Sequence, residues 1–186
     1  MIVLTEENQT TIKKDISLRG VGLHTGKEVN LTFKPAKENT GYTFTRIDLK
    51  EKPVIEANIN YVFNTDRGTC LNKDDVRIQT TEHVLAALVG LEIDNVNIEL
   101  DASEPPIMDG SSKFFVEALE SVGKKELKQK RKEFVVRDII TYKDLDSGSE
   151  ITVIPSSEYQ ITTMVDFGTK ILGTQNATMN SIKNFK

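Results

Sequence analysis

Glu82 and His83 are the residues of this chain whose types and spacing most directly suggest chemistry. They stand in Thr80-Thr81-Glu82-His83-Val84-Leu85-Ala86-Ala87-Leu88, where apolar residues recur at helical spacing. On a helix turning about 100° per residue, Glu82, His83 and Ala86 share the side away from a Val84/Leu88 stripe. A carboxylate and an imidazole then face outward across a gap bounded by one methyl group, room for a metal ion and a water. Glutamate can accept a proton from such a water, and neutral imidazole is a common zinc ligand. Taken alone the pair is weak evidence, because a histidine beside a glutamate is most often a surface feature. Catalytic zinc usually takes three protein ligands. The residue four positions after His83 is Ala87, so the two-histidine helical zinc signature is absent.

The other histidine, His24, lies in Gly20-Val21-Gly22-Leu23-His24-Thr25-Gly26. Three glycines in seven residues let this loop turn sharply. A histidine in such a loop is more often a hydrogen-bonded turn residue than a functional one. The lone cysteine, Cys70, reads first as a small buried hydrophobe, and nothing pairs it with a base for nucleophilic work. Asp109-Gly110-Ser111 reads as a turn feeding a helix cap before it reads as a site element. The Gly20/Gly22 spacing lacks both the third glycine of a dinucleotide fingerprint and the Lys-Ser/Thr of a phosphate-binding P-loop.

The elements that must position these residues follow from periodicity. Period-two alternation predicts strands over Thr11 to Leu18, Glu28 to Phe33 and Gly41 to Arg46, with weaker candidates over Val54 to Tyr61, Gly68 to Leu71 and Val76 to Ile78. A helix capped by Thr80 or Thr81 then runs to Leu88 or Val89 and stops at Gly90, with Val84, Leu85, Leu88 and Val89 as its buried stripe. Asn95 to Leu100 is a further strand. Ser111 or Ser112 caps a second helix whose core face is Phe115, Ala118, Leu119 and Val122, ended by Gly123. Lys124 to Glu133 carries six basic and two acidic residues and reads as a solvated linker rather than a phosphate-binding strip. Strands over Phe134 to Tyr142, Glu150 to Ile154 and Tyr159 to Phe167 follow, and the pattern becomes indistinct after Thr169.

This gives an α+β fold of two-layer sheet-and-helix units in tandem, the second incomplete. The expected domains are 1–126, a charged linker over 127–133, and a partial second domain over 134–186. With 38% hydrophobic and 28% charged residues the chain suits a globular fold. A net charge of −4, without a basic aromatic sheet face, disfavours nucleic acid as a partner. No apolar run approaches the ~20 residues of a membrane span, and the polar N-terminus does not resemble a signal peptide. A single cysteine excludes an internal disulfide, and cytoplasmic is the expected location.

Three segments, in order, resemble the zinc-dependent UDP-3-O-acyl-N-acetylglucosamine deacetylase family of lipid A synthesis. They are Gly20 to Gly26, Thr81 to Leu88, and Asn95 followed by Pro105-Pro106-Ile107-Met108-Asp109-Gly110-Ser111. The likeness is strongest over residues 10–123. It implies two similar α+β units with the active site at their junction. It further implies His83 as a ligand of Zn2+, Glu82 as the general base acting on the attacking water, and Leu23, His24 and Cys70 as site lining. The reaction implied is hydrolysis of the 2-acetamido group of a nucleotide-sugar acyl substrate, releasing acetate. The stretch Asp166 to Lys170 with Gly173 to Thr178 resembles the Bacteroidetes-type variety, often fused to a 3-hydroxyacyl-carrier-protein dehydratase; any such domain would lie beyond Lys186.

The family takes two further zinc ligands, a His and an Asp, and a general-acid His from later in its second unit. No histidine follows His83 here. The expectation is therefore a piece of the enzyme that needs the remainder of the second domain as its partner, is inactive alone, and binds zinc weakly or not at all. The competing expectation is a non-catalytic α+β module that binds a nucleotide sugar or a protein, with Glu82 and His83 an incidental surface pair.

Overall fold

A computed structural model describes residues 1–185 and divides the chain into two compact units, residues 6–131 and residues 1–5 with 132–186. The strands are β1 (Ile2–Ile12), β2 (Ile16–Val21), β3 (Glu28–Pro35), β4 (Tyr42–Arg46), β5 (Val54–Glu56), β6 (Val62–Asn64), β7 (Cys70–Lys73) and β8 (Val76–Ile78). Helix α1 (Glu82–Gly90), β9 (Val96–Leu100), α2 (Lys113–Val122) and β10 (Lys124–Phe134) follow. The chain continues through β11 (Ile140–Lys143), β12 (Glu150–Val153), β13 (Ile161–Asp166) and β14 (Thr174–Met179). The fold is α+β. No helix among the described residues is long and apolar enough to cross a membrane.

In residues 6–131 five strands form one sheet in the order β2-β3-β9-β4-β5, antiparallel except for the parallel β4–β9 pair. Alternation decides its faces: Val29, Leu31 and Phe33 on β3 and Val96, Ile98 and Leu100 on β9 are buried, and their neighbours are not. Both helices share that core, α1 through Val84, Ala87 and Leu88 and α2 through Phe115, Leu119 and Val122. Phe115 meets Phe33 edge to face, with ring centroids 6.3 Å apart. A smaller sheet, β6-β7-β8, stands before α1.

The structure corrects several expectations. Thr11 to Leu18 is not one strand: β1 ends at Ile12 and β2 begins at Ile16. Lys124 to Glu133, read from its charge as an irregular solvated segment, is a strand, most of β10, which pairs with β1. Lys13 N–H donates to Gly123 C=O and the Gln9 amide to Lys130 C=O, so the ladder is antiparallel. Charge did not preclude a strand there, because an exposed two-stranded ladder needs backbone partners rather than apolar faces. Arg131 is absorbed into the unit, 13% exposed and paired with Asp94 at 3.0 Å and Glu7 at 2.8 Å. On α1, Val89 is exposed and Leu85 half-buried, while Ala87 takes the core position.

In the other unit β11 pairs with β12 and β13 with β14, two separate antiparallel hairpins. The turn at Asp146-Ser147-Gly148 is as expected, closed by Gly148 N–H donating to Asp144 C=O. Strand β14 had no apolar alternation to announce it. None of the described residues from 132 onward is buried.

Candidate active site

Helix α1 starts where three sequence segments converge. The loop 22–26 between β2 and β3 closes through Gly26 N–H to Gly22 C=O, with Gly26 at φ +63°. The loop after β9 packs on it: Ile107 N–H donates to Val21 C=O, and Pro106 lies so near Gly20 that a side chain there would collide. Asp109 accepts from the Ser111 N–H and hydroxyl, confirming the turn that leads into α2.

Thr81 occupies the N-cap position of α1 without capping it. Its hydroxyl and N–H both donate to Thr69 C=O, at 3.0 and 3.1 Å. Thr69 N–H in turn donates to Glu82 Oε2 at 2.9 Å. This clasp fixes one carboxylate oxygen and leaves Oε1 facing His83, with His83 Nε2 3.8 Å away. The side chains are 37% and 29% exposed, so both reach solvent while remaining constrained. Gly68 packs beside the carboxylate, where a Cβ would stand 3.2 Å from Glu82 Oε1, a tight contact. Ser112 likewise occupies a cap position without capping; its hydroxyl donates to His83 C=O at 2.9 Å and ties the start of α2 to the start of α1.

Beside this pair lies a cleft of about 320 Å³ whose lining includes His24, Phe63, Gly68, Cys70, Arg77 and Thr80. His24 and Cys70 are thus brought to one cleft, with Gly68 linking it to Glu82. Leu23 is 56% exposed and is not among the lining residues.

Among the described residues no group of three His, Cys, Asp or Glu side chains comes together as a metal cluster. The donor set at α1 therefore fits one corner of a zinc shell, the His83 imidazole, with Glu82 alongside, and not a complete site.

One residue that supports the site from beneath escaped the sequence reading. Glu104 is fully buried, and its carboxylate accepts from His24 N–H, Thr25 N–H, the Thr25 hydroxyl and the Thr80 hydroxyl. Burial, the largest single influence, pushes its carboxyl up; the bonds from Thr25, Thr80 and His24 together outweigh that and hold it below the ordinary carboxylate value. The only sequence signal was an acidic residue ahead of Pro105-Pro106, which also describes an ordinary turn.

A family model described as LpxC, UDP-3-O-acyl N-acetylglycosamine deacetylase, matches residues 9–186. The chain belongs to the UDP-3-O-acyl-N-acetylglucosamine deacetylase family. It is 45% identical over 170 residues to the bifunctional enzyme LpxC/FabZ of Chlorobaculum tepidum, covering 91% of this chain and 36% of that protein. It is 39% identical over 178 residues to the bifunctional enzyme LpxC/FabZ of Bacteroides thetaiotaomicron, covering 96% and 39%. The UDP-3-O-acyl-N-acetylglucosamine deacetylase of Geotalea uraniireducens is 39% identical over 171 residues, covering 92% and 55%. The chain thus spans little more than a third of the bifunctional relatives and about half of the single-function one.

Proposed function

We propose that this chain is the part of a zinc-dependent deacetylase that carries its general base and one zinc ligand. The substrate is UDP-3-O-(3-hydroxyacyl)-N-acetylglucosamine, and hydrolysis of its 2-acetamido group releases acetate in the committed step of lipid A synthesis. The observation that carries this reading is the clasped Glu82: one oxygen is held by Thr69 N–H, and the other stands 3.8 Å from the His83 imidazole. Glu82 takes the proton of the attacking water as its oxygen bonds to the acetamide carbonyl carbon. When the C–N bond breaks, the departing nitrogen gains a proton and leaves as the free amine. His83 would hold the zinc, which when bound supplies a Lewis acid and lowers the pKa of water toward about 7. The cleft holding His24 and Cys70 would line the substrate path, and Leu23, being exposed, would meet substrate only at its outer edge.

The remaining zinc ligands and the general acid are proposed to come from chain outside these 186 residues, so that residues 1–186 alone release no acetate. The relatives' names support the substrate class, and the names of the bifunctional relatives support a second, fused activity in the complete protein. The location proposed is the cytoplasm.

The test is acetate release from that substrate by the complete protein encoded with this chain, before and after chelation. Turnover lost on chelation and restored by zinc is expected; turnover indifferent to a chelator that has stripped the metal would refute the reading.

A further inference from the structure

We infer that Glu104 is a positioning residue for this site, holding the His24 loop and Thr80 so that α1 begins with Glu82 against the Thr69 backbone; its effect on turnover rests on the hydrolase reading above. Carboxylates are almost never fully buried without dedicated partners. The partners of Glu104 come from two separate segments. His24 N–H donates to both oxygens at 3.1 Å, Thr25 N–H and hydroxyl donate to Oε2 at 2.9 Å, and the Thr80 hydroxyl donates to Oε1 at 2.8 Å. Every contact is a donor. An ionised carboxylate is acceptor-only, whereas a carboxamide at either orientation would aim an NH2 group at N–H and O–H donors. Gly22 completes the fit, because a Cβ there would stand 2.5 Å from both Glu104 Oε2 and Thr25 Oγ1.

Thr80 connects this carboxylate to the reacting groups. It is β-branched and buried, yet adopts φ +53°. Such a residue is a genuine outlier that persists only where its surroundings over-determine it. They do: its hydroxyl is held by Glu104, Gln79 N–H donates to Ser103 C=O, and Thr81 is clasped to Thr69. Were Thr80 to relax to negative φ, the chain would enter α1 in another direction. The Thr81–Thr69 clasp would lose register, and with it the Thr69 N–H bond to Glu82. Glu104 thus acts on Glu82 through Thr80 and on His24 through its backbone N–H.

The experiment compares Glu104→Gln with wild type in the complete protein. We expect kcat for acetate release to fall about 10- to 100-fold with KM within about threefold, as for a misplaced rather than missing group. Amide hydrogen exchange should quicken about tenfold at residues 22–26 and 69–70 and stay unchanged in β9. If Glu104→Gln does not fold, Thr80→Val removes the hydroxyl while leaving the carboxylate. It should lower kcat about tenfold, with Thr80→Ser recovering most of that loss. The inference is overturned if kcat in Glu104→Gln stays within twofold of wild type, if exchange in β9 rises in step with the loops, or if Thr80→Ser fares no better than Thr80→Val. A wild type that releases no acetate would sink the hydrolase reading separately, and the exchange measurement would still decide whether Glu104 holds the two loops.

Discussion

Residues 6–131 and residues 132–186 both contain strands with alternating apolar side chains, and they use them differently. In the first, the inward faces of β3 and β9 meet two amphipathic helices, and large side chains such as Phe33, Phe44 and Phe115 are wholly enclosed. In the second, Tyr142, Ile151, Met164 and Ile171 stand 67%, 65%, 72% and 95% exposed on two hairpins. Alternation makes a strand, but a core needs a second layer to receive its apolar face. The proposed site residues all lie in the unit that has that layer, so their geometry is set by packing rather than by the hairpins.

The sharpest way to break this contrast is to truncate one large side chain in each unit. Phe115→Ala removes a fully buried ring and is expected to destabilise residues 6–131 by about 3–5 kcal/mol. Ile171→Ser, at a position 95% exposed, should stay within about 0.5 kcal/mol. Urea unfolding read by hydrogen exchange in each unit checks both, and comparable losses would mean the second unit has a core that its exposure does not reveal. Next in size is Gly22→Ala, whose Cβ would crowd Glu104 and Thr25 at 2.5 Å. A loss of about 1–3 kcal/mol is expected, as for other overpacked sites, and a neutral result would show that the loop can move aside.

The smallest effect is a pH dependence at Glu104, in the first unit. The Glu104 carboxyl is lowered in the folded state, so its stabilisation is complete above the ordinary value of about 4.5 that it regains on unfolding. It is lost as pH falls through the lower folded value. The stability difference between wild type and Glu104→Gln should therefore be flat from pH 5 to 7, then shrink with further acidification. A difference that grows on acidification would contradict the assigned direction.

Much of the first unit was legible in the sequence. The period-two runs gave β3, β4 and β9, and the change to helical spacing gave α1 and α2 nearly to their ends. The outward Glu82–His83 pair was legible for the same reason, since the opposite side of α1 is apolar. Cap positions were legible but not their chemistry: the Thr81 and Ser112 hydroxyls bond Thr69 and His83 carbonyls instead of helix amides. Strand β10 was hidden by its lysines, because backbone pairing leaves no hydropathy signature. Glu104 was hidden more deeply. Its role depends on donors about 80 and 24 residues away in sequence, which meet only in the folded chain.

The central claim is that Glu82 and His83 divide base and ligand between them, and one paired measurement on the complete protein tests it most directly: zinc content and acetate release for Glu82→Gln and His83→Gln. Glu82→Gln should keep its zinc while turnover falls by about 10²–10⁴-fold, and His83→Gln should lose both. A Glu82→Gln protein that retained zinc and turned over at the wild-type rate would contradict the account.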